Sequence, residues 1–120
     1  MSPFNFEFED DDFFVPRPQQ ERTFGTRLKD FHSRFNSSIR AVFQDCLFRE
    51  LETENKVIFQ ILCPNERVQK RLIQKRPKIA MELWNIWGDK VNQLAICVQK
   101  DDLQCRVFSL ENYLIEEITD

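Results

Sequence analysis

The run Lys56-Val57-Ile58-Phe59-Gln60-Ile61-Leu62-Cys63, stopped by Pro64-Asn65, constrains the rest of the chain most strongly. It is short, β-branched, aromatic and nearly all apolar, the pattern of a strand covered on at least one face. Pro64 has no amide to extend a ladder and Asn65 is a good helix cap, so a helix is expected to follow at once. In that helix Val68 and Leu72 stand four apart and supply the buried side. Arg67, Lys70, Arg71, Lys75 and Lys78 gather on the other.

Pro77 cannot donate to a continuing helix and disfavours helical geometry at Arg76, which predicts two helices joined at the proline. Ile79, Ala80, Leu83, Ile86 and Trp87 form the apolar side of the second helix, with Trp84 beside them, either in the core or in a protein-facing patch. Gly88 is placed as its C-terminal left-handed residue and Asp89 as the turn. The chain then returns as a strand through Val91, Leu94, Ile96 and Val98. Asp101-Asp102 offers a hairpin to Leu103–Phe108.

Upstream, Leu28, Phe31, Phe35, Ile39, Val42, Phe43 and Cys46 recur at steps of three and four, with Thr26 as a candidate cap. Asn36-Ser37-Ser38 interrupts this stripe. Either one helix runs to about Phe48, or two meet there with Ser37 or Ser38 capping the second. Glu50 to Asn55 reads as a polar connector. Ser109 to Asp120, with Leu110, Tyr113, Leu114 and Ile118 apolar, reads as a short amphipathic helix whose terminal acids oppose its dipole.

At 120 residues with two Gly and five Pro, the chain fits one domain built from a few long elements. Residues 1–22 stand apart. Phe4, Phe6, Phe8, Phe13 and Phe14 alternate with Glu7, Glu9 and Asp10 to Asp12, then Pro16 and Pro18 follow. A disordered acidic, aromatic tail is expected there, with Phe6, Phe8, Phe13 and Phe14 as anchors if it acts as a docking peptide. Residues 23–120 form the expected single α+β domain: an N-terminal helical segment and a two- to three-stranded sheet packed against two helices.

The charge is distributed unevenly. Residues 1–12 carry acids and no cation, whereas Arg67, Lys70, Arg71, Lys75, Arg76 and Lys78 face only Glu66 in the stretch 66–78. Lys and Arg held along one surface can meet an acidic partner or a phosphate backbone. No apolar run approaches the roughly 20 residues of a membrane span, and the acidic N-terminus is unlike a signal peptide, so a cytoplasmic protein is expected.

Cys46, Cys63, Cys97 and Cys105 contain no Cys-x-x-Cys pair and His32 is the one histidine, so no metal or cofactor site is indicated. The four thiols read as small buried hydrophobes. With no Gly-rich phosphate loop and no Gly-x-Ser-x-Gly, no catalytic residues are assigned and a non-enzymatic binding module is expected.

The stretch Asn55 to Val98 resembles the N-terminal domain of the bacterial replication initiator DnaA. The resemblance rests on an apolar strand ending in Pro64-Asn65, a helix with Leu72, a further helix ending in Gly88 and a strand from Val91. That KH-like class includes DciA-type helicase loaders and the C-terminal domain of the clamp-loader tau subunit. The resemblance implies a KH-like fold and an adaptor or regulator of the DNA replication machinery that recruits proteins through its basic helix. It also leaves open contact with single-stranded DNA. Arg67 and Arg71 stand where initiator domains tend to carry aromatics, and the Gly-x-x-Gly of nucleic-acid-binding KH domains is absent. A KH-like single-stranded nucleic-acid binder is the second reading. A chaperone or secretion-type adaptor, which would use exposed apolar grooves, is the third. Oligomeric state is left open.

Overall fold

The computed structural model describes residues 23–110 and 116–118. The expected tail, with its Phe6, Phe8, Phe13 and Phe14, lies outside the described residues. The described chain runs α1 (Phe24–Ser33), α2 (Ser37–Phe43), β1 (Leu47–Glu52), β2 (Val57–Cys63), α3 (Glu66–Gln74), α4 (Arg76–Trp87), a 3-10 turn at Gly88–Lys90, β3 (Gln93–Gln99), β4 (Leu103–Ser109) and β5 (Glu116–Ile118).

The interrupted stripe resolves into two helices. Asn36 caps the second, its Oδ1 accepting from the Ile39 amide at 2.9 Å, in place of Ser37 or Ser38. The first helix starts earlier than Thr26. Thr23 Oγ1 accepts from the Thr26 amide at 3.1 Å, which puts Phe24 inside the helix and against the core. Asn65 caps α3 through a 2.9 Å bond from the Val68 amide. That helix stops at Gln74, and α4 opens at Arg76 with Pro77 in its first turn, where a missing amide costs nothing.

The sheet has five strands in the order β1-β2-β3-β4-β5, more than the two or three expected. β2 and β3 are parallel, pairing Phe59 with Leu94 and Ile61 with Ile96; the other neighbours are antiparallel. Glu50 to Glu52, expected as connector, belongs to β1. Ser109 closes β4 and residues 116–118 form β5, so the helix expected from Ser109 is corrected there; residues 111–115 lie outside the described residues. Two forces favour the strand: Ser109 pairs with Gln93 in the ladder, and Arg106 forms a two-pronged bond to Glu117 across β4 and β5.

Phe59, Ile61 and Cys63 of β2 and Leu94 and Ile96 of β3 join one buried cluster with Phe31, Phe43, Leu72, Ile79, Leu83 and Trp87 of the helices. The other side of the sheet aligns Leu47, Leu62, Cys97 and Cys105 in one cross-strand row. Cys97 and Cys105 are bonded as a disulfide, which corrects the reading of four free thiols; Cys46 and Cys63 remain free and buried. The hairpin register sets the two sulfurs opposite each other, and sequence spacing alone does not reveal that register.

Gly88 ends α4 at φ 64° and ψ −137°, a conformation L side chains rarely adopt, whereas Gly25 lies in α1 with open space at its Cβ position. Gly88→Ala is expected to lower stability by about 1–2 kcal/mol. Gly25→Ala is expected to leave it unchanged or raise it by up to about 1 kcal/mol. Urea unfolding of the two variants beside the parent chain checks both.

Candidate docking surface on α3 and α4

The six cations singled out in the sequence do not form one surface. At about 100° per residue, Arg67, Lys70, Arg71 and Gln74 fall within one sector of α3. All four are exposed, while Gln69, Leu72 and Ile73 turn inward. Gln69 fixes this orientation, because its Nε2 donates to the Ile96 carbonyl of β3 at 3.0 Å in a buried setting. Lys75 follows, exposed, in the C-cap position of α3. Arg71 donates to Ser38 Oγ on α2 at 2.7 Å. Among the described residues, Arg67 and Lys75 make no side-chain hydrogen bond or ion pair.

Arg76 and Lys78 turn elsewhere. Arg76 is half-buried: its Nη1 donates to the Ile73 carbonyl at 2.8 Å and its guanidinium stacks 5.4 Å from the Phe108 ring centroid. Lys78 binds Glu82 at 2.8 Å and lies 5.8 Å from the Phe35 ring centroid. Both therefore secure α4 to its surroundings. The outward basic face is reduced to Arg67, Lys70, Arg71 and Lys75.

Glu82 is the buried charge that sequence inspection passed over. Its side chain is 6% exposed and receives Arg34 Nη1 at 3.2 Å, Lys78 Nζ at 2.8 Å and Asn85 Nδ2 at 3.2 Å; Arg34 also meets Asp30 at 3.2 Å. Burial alone would raise the Glu82 carboxyl, but the bonds from Lys78, Asn85 and Arg34 outweigh it and hold the group below its usual value. The cluster joins α1 to α4. The helical spacing of Lys78 and Glu82 was the available signal, and only the partner from α1 shows it to be buried.

The two tryptophans of α4 separate. Trp87 is buried, with its Nε1–H donating to Glu50 of β1, and its ring lies tilted 5.1 Å from that of Phe59. Trp84 is 38% exposed and Met81 51% exposed. With exposed Pro77 they line the outward side of α4, opposite Ile79 and Leu83. Met81 and Pro77 were missed as surface candidates; Met81 sits more than a quarter turn from Ile79, Ala80, Leu83 and Trp87, the signal that was available for it.

His32 has an aromatic setting, 5.2 Å from the Phe43 centroid and 4.9 Å from Phe48, and burial lowers its pKa. The Cys63 thiol is pushed upward by its hydrogen bond with Cys46 and by burial. No group of three or more His, Cys, Asp or Glu suited to a metal occurs among the described residues, and none of the described helices is long and apolar enough to cross a membrane. A scan of protein-family models, a search of curated proteins and a search of solved structures each found no match to this chain.

The lowered Glu82 carboxyl makes a signed prediction. Its folded value lies below its unfolded one, so its contribution is complete above the unfolded value and is lost as pH falls through the folded value. Glu82→Gln is expected to be less stable near pH 7 by about 1–2 kcal/mol. Between about pH 5 and about pH 3 the parent should lose more stability than the variant, because only the parent carries Glu82, while Glu66 and Glu117, also lowered by Lys100 and Arg106, titrate in both and cancel. Urea midpoints against pH measure the difference.

Proposed function

We propose that this chain is a non-enzymatic adaptor or regulator of the DNA replication machinery, acting by protein contact through the outward face of α3 and the adjoining side of α4. The observation that carries the reading is the pairing of two kinds of exposed group on this helix pair. Arg67, Lys70, Arg71 and Lys75 offer charge, and Met81 and Trp84 offer apolar area. A protein with an acidic, partly apolar surface uses both, since buried aromatic and Met contacts supply affinity while charges steer the encounter.

The assignment to replication comes from the resemblance. β2, Pro64-Asn65, α3, α4, Gly88 and β3 occupy the stretch on which the likeness to the KH-like initiator domain was drawn, in the order it implies. In the class that the stretch resembles, the module recruits the replicative helicase or its regulators. A cytoplasmic, bacterial setting goes with this reading.

A KH-like single-stranded nucleic-acid binder is the second reading, favoured by the exposed row Arg67, Lys70 and Arg71. Such contacts weaken steeply with salt. Binding of the full chain to a generic single strand at low salt, lost as salt rises, would select it.

The adaptor reading is tested with R67Q/K70Q/R71Q/K75Q. The parent chain, immobilised, is expected to retain the replicative helicase or another replisome protein from a lysate of its source, and the variant to lose it. Stability should change by no more than about 1 kcal/mol, since these side chains are exposed. Retention of the same proteins by both chains, or of no replication protein by the parent, sinks the reading.

A further inference from the structure

The described chain begins at Thr23, beside the C-terminal end of α4: the Phe24 ring lies 6.2 Å from Trp87 and 6.3 Å from Phe59. From there α4 leads back over about 18 Å to Arg76 and so to the cations at the end of α3. Along its outward side stand Trp84, Met81 and Pro77, and past its start stand Lys75, Arg71, Lys70 and Arg67. The surface is thus apolar near the point where the N-terminal segment departs and cationic farther away.

The segment has the matching order. Reading backward from Thr23, residues 15–22 reach up to about 26 Å when extended. Next come Phe14 and Phe13, then Asp12, Asp11, Asp10, Glu9 and Glu7 with no cation among them. With the aromatic pair on the apolar side of α4, the acids fall opposite the four cations. Charge complementarity, reach and the order of apolar and charged groups agree.

We propose that residues 4–14 of this chain are the resident occupant of the α3–α4 docking surface, with Phe13 and Phe14 against Met81 and the acids against Lys75, Arg71, Lys70 and Arg67. The proposal rests on the reading of this surface as a docking site and names its regulation. Tethering holds the segment at a high effective concentration, so a weak contact suffices to compete with an outside ligand. An acidic partner must displace the segment to bind.

The test uses the full chain and two variants, E7Q/E9Q/D10N/D11N/D12N and F13S/F14S. Each substitution lies outside the described residues, and the second retains the charge. Both variants are expected to shift the backbone amide resonances of Lys70, Arg71, Gln74, Lys75 and Met81, and added salt should move the parent's resonances in the same direction. Affinity for a labelled poly-glutamate peptide should rise at least about threefold in the variants at low salt, the value for a surface occupied two-thirds of the time, and the gain should vanish at high salt.

Shifts confined to Leu47, Leu62 and Leu103 would place the segment on the open side of the sheet and overturn the proposal. Absent shifts with unchanged affinity would do the same. The two readings fail separately. If R67Q/K70Q/R71Q/K75Q loses poly-glutamate binding while the tail variants change nothing, the docking surface stands and self-occupation falls. If the tail variants move the α3 resonances but the parent retains no replication protein, the contact stands and the adaptor reading falls.

Discussion

Phe31 stands where the helices and the sheet meet. Its ring, fully buried, lies 4.9 Å from Phe35, 5.6 Å from Phe43, 5.4 Å from Phe59 and 6.2 Å from Trp87, so one side chain touches α2, β2 and α4 from α1. Each such ring pair adds about 0.5–1.5 kcal/mol beyond its buried area and fixes an orientation as well. The orientation of α4 follows from it. Trp87 is drawn inward to Phe31 and Phe59, Glu82 is drawn toward Arg34 at the end of α1, and the residues a third of a turn away are left facing solvent. The outward apolar strip of α4 is therefore a consequence of how the aromatic junction packs.

Where several weak signals agreed, the sequence was readable. β2 was marked by composition, its end by Pro64, the start of α3 by Asn65, and the two helices by the apolar steps around Leu72 and Leu83. β1 was not readable, because two of its three core-side positions are Glu50 and Glu52. Glu50 is on that side as the acceptor for the Trp87 indole, a need that exists only once α4 is placed. β5 was obscured in the same way, since Glu117 is explained by Arg106 on the neighbouring strand. Acids with distant partners look like solvated connector until the partner is known.

The candidate surface was half readable. The row of cations is plain in the sequence, but a charge count treats Arg76 and Lys78 as equals of Arg67. Packing separates them: Arg76 lies over Phe108 and Lys78 neutralises Glu82, so neither is available in the way Arg67 is. Arg76 lies back toward the end of α3 and Phe108, whereas Lys78 stays exposed and is occupied by Glu82 one turn along its own helix.

The parallel pairing of β2 with β3 has a consequence for synthesis. The other strand pairs are antiparallel neighbours only a few residues apart in the chain and close locally, on the microsecond scale of hairpins. β2 and β3 are separated by both α3 and α4, and their contact requires closing that whole crossover first. A chain emerging from the ribosome therefore completes its β1–β2 hairpin and both following helices while the edge of β2 that receives β3 is still bare. Phe59 and Ile61 wait for Leu94 and Ile96, and during that interval the nascent chain presents its most apolar strand to whatever else is within reach.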